Sequence, residues 1–191
     1  MKKLICTLLL SFPAYLFAQL PEHSSKLEKE QGFNILKVGA MLSKVKAVLQ
    51  RDTLDRSKSL EPKAQTMGWT DRVYLVDLKK PGYAKFCGKN IERIEVWFMH
   101  AEEGDDFTIT EVKIFFKAVS DKDTKDFFDK VVAAYGMPAS YGLDLPEPGM
   151  ITHTWYSSLV LMGGTSYYGD PVTEEVKTDR IKIEFGTAVG G

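Results

Sequence analysis

The chain has 191 residues, and its 25 basic and 26 acidic side chains nearly cancel. This balance does not favour nucleic acid or an anionic membrane surface as a partner. Hydrophobic residues make up 44% of the chain and aromatic residues 12%, which excludes a disordered protein and predicts a packed globular domain.

The N-terminus has the three-part pattern of an export signal. Two lysines precede an apolar run that extends to Phe17, and Ala18 follows as a small residue at a cleavage position. The run is too short and too interrupted for a membrane-spanning helix, which needs about 20 apolar residues. We therefore predict a signal peptide at residues 1–18 and a periplasmic or secreted mature protein without a membrane span.

Cys87 is the one cysteine left in the sequence after this cleavage, so the mature chain is predicted to have no internal disulfide. Two interpretations of Cys87 stay open at this point. It is a small buried apolar side chain beside a turn, or it is a reactive or intermolecular thiol.

Two helices are predicted after a polar, aperiodic stretch at residues 19–32, which itself predicts a flexible leader. Apolar residues recur at helical spacing between residues 40 and 50, and this spacing indicates the first helix. Ser120 and Asp123 form a capping box that begins the second helix, and Gly136 ends it. The apolar stripe of the second helix consists of Phe127, Phe128, Val131 and Tyr135.

Period-two alternation of apolar and polar side chains predicts antiparallel strands between and after the helices. The strands on either side of the acidic turn from Glu102 to Asp106 are predicted to form one long hairpin. The glycine-rich segment 163–166 is predicted to be a turn that links strands. The predicted strands cover residues 72–78, 91–100, 107–119, 152–162 and 180–185.

The two halves of the sequence match each other, through a tandem duplication or through chance similarity of two ordinary helix-and-strand segments. A duplication predicts one unit at residues 33–119 and a second at residues 120–191, within a single compact domain. The predicted fold class is therefore α+β, with two tandem units forming one antiparallel sheet and both helices on one face. The matched pairs are 44–45 with 130–131, Trp69 with Trp155 and, after one more residue of shift, 93–98 with 180–185.

Three short motifs carry a family resemblance. They are Val-Gly-Ala-Met-Leu-Ser-Lys-Val at 38–45, Tyr-Gly-Met-Pro at 135–138 and Thr-Trp-Tyr at 154–156. Together they resemble the pattern of the small SmpA/OmlA-type envelope lipoproteins, and the tandem arrangement is similar to the β-lactamase-inhibitor-protein (BLIP) fold. The resemblance implies a pair of helix-plus-sheet units that bind a protein partner.

The sequence offers no catalytic constellation, so we predict a protein that is not an enzyme and that uses no metal or cofactor. It has no Gly-x-Ser-x-Gly motif, and neither His100 nor His153 has a partner at a spacing typical of a zinc site. The acidic turn from Glu102 to Asp106 is interpreted as a solvated hairpin tip, with a calcium site as the alternative.

Strand alternation predicts a partner-binding patch on the sheet face away from the helices. If Ile94 and its alternating neighbours face the helices, then Trp97, Met99 and Phe115 point the other way, with Tyr74 beside them. Exposed aromatic side chains rimmed by charge mark an interaction site. The alternative is that the leader, a loop or a second copy of the chain covers this face.

Two functional hypotheses follow. The first is an exported, non-catalytic binding module that recognises a cell-envelope or secreted protein through the aromatic sheet face. The second is a carrier of an apolar small molecule, held between sheet and helices or between the two units, in a pocket lined by residues such as Phe127, Phe128 and Trp155.

Overall fold

The structure is a computed structural model that describes residues 24–60, 72–101, 104–118, 120–143, 150–167 and 180–187. The predicted signal peptide, Trp69 of the internal match, and Glu102 with Glu103 of the acidic turn lie outside these residues. None of the helices within the described ranges is long and apolar enough to cross a bilayer.

The protein is mixed α+β, and its centre is one antiparallel sheet of eight strands. Two further strand pairs form small separate hairpins, β1 with β2 and β5 with β6. The strands are β1 (Gly32–Phe33), β2 (Leu36–Lys37), β3 (Leu49–Thr53), β4 (Arg72–Val76), β5 (Lys85–Phe86), β6 (Lys89–Asn90), β7 (Arg93–His100), β8 (Phe107–Lys117), β9 (Ser140–Leu143), β10 (Met150–Tyr156), β11 (Val160–Tyr167) and β12 (Arg180–Thr187).

The large sheet consists of two four-stranded meanders. Its spatial order is β3-β4-β7-β8-β12-β11-β10-β9. In each half, the chain begins with the strand at the outer edge and ends with the strand at the centre. The halves meet where β8 pairs with β12, the last strand of each meander. The chain therefore builds one continuous antiparallel sheet.

The helix α3 (Asp121–Tyr135) has clear start and stop residues, and it confirms the second predicted helix. The Ser120 hydroxyl accepts a hydrogen bond from the Asp123 amide at 3.2 Å, and Gly136 ends the helix with a φ of 86°. All four residues of its predicted apolar stripe are buried. Cap, stripe and terminator all lie within one short segment, which is why the sequence located this helix.

The predicted helix at residues 40–50 is much shorter in the structure. An α-helix, α2 (Leu42–Val45), is followed by a 3₁₀ turn at Lys46–Val48, and the chain then enters β3. Met41 occupies the N-cap position without a side-chain hydrogen bond, and the Ser43 amide in the first turn instead donates to the Asp106 carboxylate at 3.4 Å. The apolar spacing that suggested a longer helix therefore corresponds to one turn of helix with one buried side chain, Val45.

The prediction of a flexible leader is wrong for residues 24–32. A short helix, α1 (Ser25–Glu30), begins at Ser24, whose hydroxyl accepts a hydrogen bond from the Leu27 amide at 3.3 Å. Leu27 is fully buried, and α1 packs against α3, β10 and β11. A six-residue helix with one buried residue has no periodicity to detect, because tertiary packing rather than local pattern stabilises it.

The predicted hairpin of β7 and β8 is confirmed, with Ile94 opposite Ile114 and Val96 opposite Val112. The single strand predicted at 152–162 is instead two strands, β10 and β11, that reverse at Ser157. The Ser157 amide donates to the Val160 carbonyl and its hydroxyl accepts from the Val160 amide, both at 2.9 Å. A serine-based turn inside an apolar run is a weak sequence signal, and the alternation continues through it.

The glycine-rich segment 163–166, predicted as a turn, lies within β11. Gly164 faces α3, and a Cβ atom there would meet the Phe128 ring at 2.7 Å. The glycine therefore allows α3 to pack closely on β11. Its small size serves this packing and does not form a turn.

One face of the sheet holds the main core. Buried residues of all three helices and of the β5–β6 hairpin form a single cluster with alternating residues of the central strands. Phe86 of the hairpin is at its centre, where its ring stacks on Tyr135 at 6.0 Å and contacts Phe116 and Phe185. The opposite side of the sheet carries no described α-helix, and we call it the helix-free face.

Candidate functional site

The four residues of the predicted partner patch do not form an exposed patch. Trp97 and Phe115 point to the helix-free face as predicted, but both are fully buried. Tyr74 is on the helical side, where it pairs with Val96 and packs against the Phe98 ring at 5.7 Å. Met99 is the one member with substantial exposure, at 37%. The aromatic patch predicted from alternation is therefore wrong.

A strap at residues 54–60 covers part of the helix-free face. Leu54 packs against Val73 and Trp97 in a small separate core. The Ser59 hydroxyl and the Leu60 amide donate hydrogen bonds to the two oxygens of the Glu95 carboxylate, at 2.5 and 2.9 Å. The alternative in which a loop of the chain covers this face therefore holds at Trp97.

The strap is also anchored through an arginine. The Arg93 guanidinium donates to the Lys58 carbonyl at 2.9 Å, and its Nε is 3.1 Å from a Glu95 oxygen. Glu95 has no exposed surface, so this carboxylate is held by its hydrogen bonds and by its cationic neighbour. The contact between strap and sheet is therefore apolar at Leu54 and polar at Glu95 and Arg93, and strand alternation alone reveals neither part.

The middle of the helix-free face is an array of alternating charges. Lys113 is 2% exposed and lies in register between Glu95 on β7 and Glu184 on β12. Its ammonium is 2.9 Å from a Glu111 oxygen and 4.0 Å from the centre of the Trp97 ring. We call the charged residues Glu95, Glu111, Lys113, Lys182 and Glu184 the charge array. Opposite charges on neighbouring strands stabilise the sheet, so its first role is structural.

Neighbouring lysines of the array favour the ionised form of the Glu184 carboxylate. Burial raises the pKa of Glu184, but the attraction of Lys182 and Lys113 outweighs it, so the pKa lies below its ordinary value. The Lys182 ammonium is 2.8 Å from the Glu184 carboxylate. Each described lysine of the array therefore has a carboxylate within ion-pair distance, which leaves little charge for a ligand.

The three side chains named by the carrier hypothesis pack in the core. Phe127, Phe128 and Trp155 are almost fully buried, and they fill the space between α3 and the sheet. The Phe127 ring is 4.8 Å from the Phe116 ring, and the Trp155 indole donates to the Gly136 carbonyl at 2.7 Å. The grooves lined by described residues are at the surface and are bordered by charged side chains.

The two histidines do not come together. His153 is half-buried and stacked on Phe128 at 4.4 Å, and its burial lowers its pKa, which favours the neutral ring. His100 is exposed at the end of β7, where its ring packs on Phe107. Within the described ranges, no group of three histidine, cysteine or acidic side chains is placed to hold a metal ion.

Cys87 occupies the turn between β5 and β6 in a left-handed conformation, with a φ of 44°. The residue is half-buried, and burial raises the pKa of its thiol. A raised pKa keeps the sulfur protonated at neutral pH and makes it a poor nucleophile. Of the two sequence interpretations, the structure therefore favours the unreactive side chain.

A groove of about 700 Å³ lies beside the β5–β6 hairpin, and we call it the hairpin groove. Its floor contains the buried side chains of Ile91 and Phe127. Its walls come from the hairpin, from the adjoining ends of β7 and β8, and from the first turns of α3. The charged lining residues are Lys85, Lys89, Lys117, Lys130, Glu92, Asp123 and Asp126.

A second groove, of about 380 Å³, lies on the other side of the same hairpin and shares Lys85 with the first. It runs between α1, the β1–β2 hairpin and the end of α3. The Tyr135 hydroxyl donates to the Glu30 carboxylate at 2.9 Å within it. The charged lining residues of this second groove are Lys26, Lys29, Lys37, Lys85 and Glu30.

The two grooves carry more positive than negative charge. Together they contain seven lysines and four carboxylates, whereas the whole chain has a net charge of −1. Two of the lysines have partners, because Lys89 contacts Asp123 and Lys26 is 3.7 Å from Glu30. The other five are exposed and form no ion pair with a described residue: Lys29, Lys37, Lys85, Lys117 and Lys130.

The sequence gives no local signal for this cluster. Its five unpaired lysines are spread from Lys29 to Lys130 over five different segments, and none of them belongs to a run of basic residues. Only the sheet order and the packing of α1 and α3 bring them together. A charge-pattern search along the chain therefore has nothing to find.

Comparison of the chain with protein-family models, with curated proteins and with solved structures gives no match.

Proposed function

We propose that this protein is an exported, non-catalytic binding module that recognises a protein of the cell envelope or a secreted protein. One observation carries the proposal: unpaired, exposed lysines surround an apolar floor in the hairpin groove. The binding surface is placed there rather than at Trp97 and Phe115, because those two side chains are buried. Periplasmic or secreted location, with a signal peptide at residues 1–18, is part of the proposal.

The proposal includes the tandem organisation, with one unit at 33–119 and a second at 120–191. Sheet topology supports it, since a helix precedes four antiparallel strands in each half. The internal sequence match supports it only in part. The match of 93–98 with 180–185 joins β7 to β12, which are the third strand of one meander and the fourth of the other.

A relationship to the SmpA/OmlA-type or BLIP-like proteins is likewise proposed. The paired helix-plus-four-strand arrangement favours it, and the resemblance implies protein binding without catalysis. Two side chains support this part of the proposal, since His153 is half-buried against the Phe128 ring and Cys87 has a raised thiol pKa.

The test is affinity capture from envelope extracts with the mature protein as bait. A groove variant, Lys85→Glu with Lys130→Glu, is compared with a control, Lys80→Glu with Lys122→Glu. All four lysines are exposed, so neither change is expected to disturb folding, and both variants have the same net charge. We expect a protein retained by wild type and control to be lost from the groove variant.

Two results would contradict the proposal. Equal retention by wild type and groove variant would show that the hairpin groove is not the binding surface. Recovery of no protein by any bait, under chemical cross-linking as well as in direct capture, would count against a binding module altogether.

A further inference from the structure

We propose that the hairpin groove and the second groove together bind an acidic, extended segment of the partner protein. This inference rests on the proposed function and specifies its ligand. The two grooves share Lys85 and lie on either side of one short hairpin, so an extended segment that crosses the hairpin at Lys85 would contact both, and we call the two grooves together the track. Five lysines of the track have no carboxylate partner in the part of the chain that the structure describes.

The charge of the track determines the sign of the ligand. Exposed lysines grouped in a concave surface create a positive potential that attracts an anion and orients its approach. Glu92 and Asp126 reduce this potential but are themselves exposed and are not in ion pairs with described residues. The ligand therefore gains from carboxylates at several positions rather than from one strong contact.

The chemistry of the cations favours carboxylates in series over one phosphate group. Among the described residues, both grooves are lined by lysines and by no arginine. Arginine is the residue that binds phosphate in a fixed bidentate geometry, whereas lysine acts as a point charge on a flexible stem. Separate lysines on five segments suit a ligand whose charges are spaced along a chain.

The apolar floor selects an extended conformation. Ile91 and Phe127 are buried beneath the hairpin groove, while the lysines stand at its walls. An extended peptide points successive side chains to opposite sides. Acidic residues in alternation with aliphatic ones would meet the lysines and the floor at the same time.

A protein segment is favoured over a membrane surface. Peripheral membrane binding combines positive charge with apolar side chains that enter the bilayer. The large exposed hydrophobic residues in the described part of the chain do not line either groove; they are Ile35, Met41, Met99, Met137 and Leu159.

The test is fluorescence anisotropy with a labelled peptide of ten residues in which glutamate and valine alternate, about 33 Å long when extended. We expect saturable binding that disappears at 1 M salt, where the Debye length is about 3 Å. Lys85→Gln and Lys130→Gln should each weaken binding about two- to fivefold. The control change Lys80→Gln should have no effect.

The most discriminating part of this test uses variants that remove negative charge from the hairpin groove. Glu92→Gln and Asp126→Asn each delete a carboxylate that repels the peptide, so both should tighten binding about two- to fivefold. A site that reads only shape or apolar surface would not respond in this way. Circular dichroism of each variant checks that the fold is intact.

Each other outcome overturns the inference in a distinct way. Equal affinity for a peptide in which lysine and valine alternate contradicts an acidic ligand. Unchanged affinity for the glutamate–valine peptide in Glu92→Gln and Asp126→Asn contradicts it as well. Lysine-dependent binding to phosphatidylglycerol vesicles without peptide binding assigns the track to a membrane. Lysine-dependent self-association assigns it to a second copy. If the peptide fails while affinity capture still depends on Lys85, the inference is wrong and the proposed function stands.

Discussion

Gly164 offers a direct test of how closely α3 packs on the sheet. Replacing it with alanine puts a methyl group 2.7 Å from the Phe128 ring, 3.2 Å from Ile183 and 3.3 Å from Trp155. The first of these distances is well below van der Waals contact. The Phe128 ring is stacked between other core groups, with His153 at 4.4 Å, so it cannot turn away without moving its neighbours.

The expected cost follows from overpacking of a dense core. Extra methyl groups in well-packed interiors typically destabilise by about 1–3 kcal/mol. We expect Gly164→Ala to lower the free energy of unfolding by about 2 kcal/mol, in the middle of that range. The neighbouring Gly163 is the matched control, because a Cβ there meets nothing within 4 Å. Gly163→Ala should be neutral or should stabilise by up to about 1 kcal/mol.

Urea unfolding followed by circular dichroism measures both changes. The denaturant dependence should be unchanged, since neither substitution alters the surface exposed on unfolding. Phe128→Leu removes the ring that clashes, so Gly164→Ala should cost less in that background than in wild type. If both alanine variants have the same stability, or if the double variant is simply additive, the close contact of α3 with β11 is incorrect.

The remaining predictions concern single ionisable side chains. Because Lys182 and Lys113 hold the pKa of Glu184 below its ordinary value of 4.5, this carboxylate stabilises the fold above pH 4.5, and its contribution is lost as pH falls further. Glu184→Gln should therefore flatten the acid limb of the stability curve in urea titrations; a parallel curve would contradict this. Cys87→Asn should stabilise by up to about 1 kcal/mol, because asparagine tolerates a positive φ. Native Cys87 should alkylate more slowly than the unfolded chain, since burial raises its thiol pKa; equal rates would refute this.

The parts of the fold that the sequence predicted are those with several agreeing local signals. Cap, stripe and terminating glycine defined α3, and a long alternation defined the β7–β8 hairpin. The parts that it missed depend on tertiary contacts. Leu27 is buried because α1 docks on α3, and position 164 of β11 is a glycine because the Phe128 ring lies above it. Neither relation is visible within a short window of sequence.

The candidate site divides in the same way. Alternation correctly directed Trp97 and Phe115 to the helix-free face, but it could not show that they are buried there. The charged residues that alternate with these aromatic residues in the sequence do indicate the structure of this face. Glu95 and Lys113 face the same side as Trp97 on paired strands, and opposite charges in register indicate a structural array rather than an open aromatic patch.

The contrast between the two charged surfaces is the strongest argument for placing recognition at the grooves. On the helix-free face, Lys113 and Lys182 each have a carboxylate within 3 Å, at 2.9 and 2.8 Å respectively. In the grooves, five lysines have none among the described residues. The chain has 26 acidic residues for 25 basic ones, so carboxylates are not in short supply. The unpaired lysines therefore reflect where the fold places its charges, and an acidic partner segment would supply ion-pair partners that these five lysines lack among the described residues.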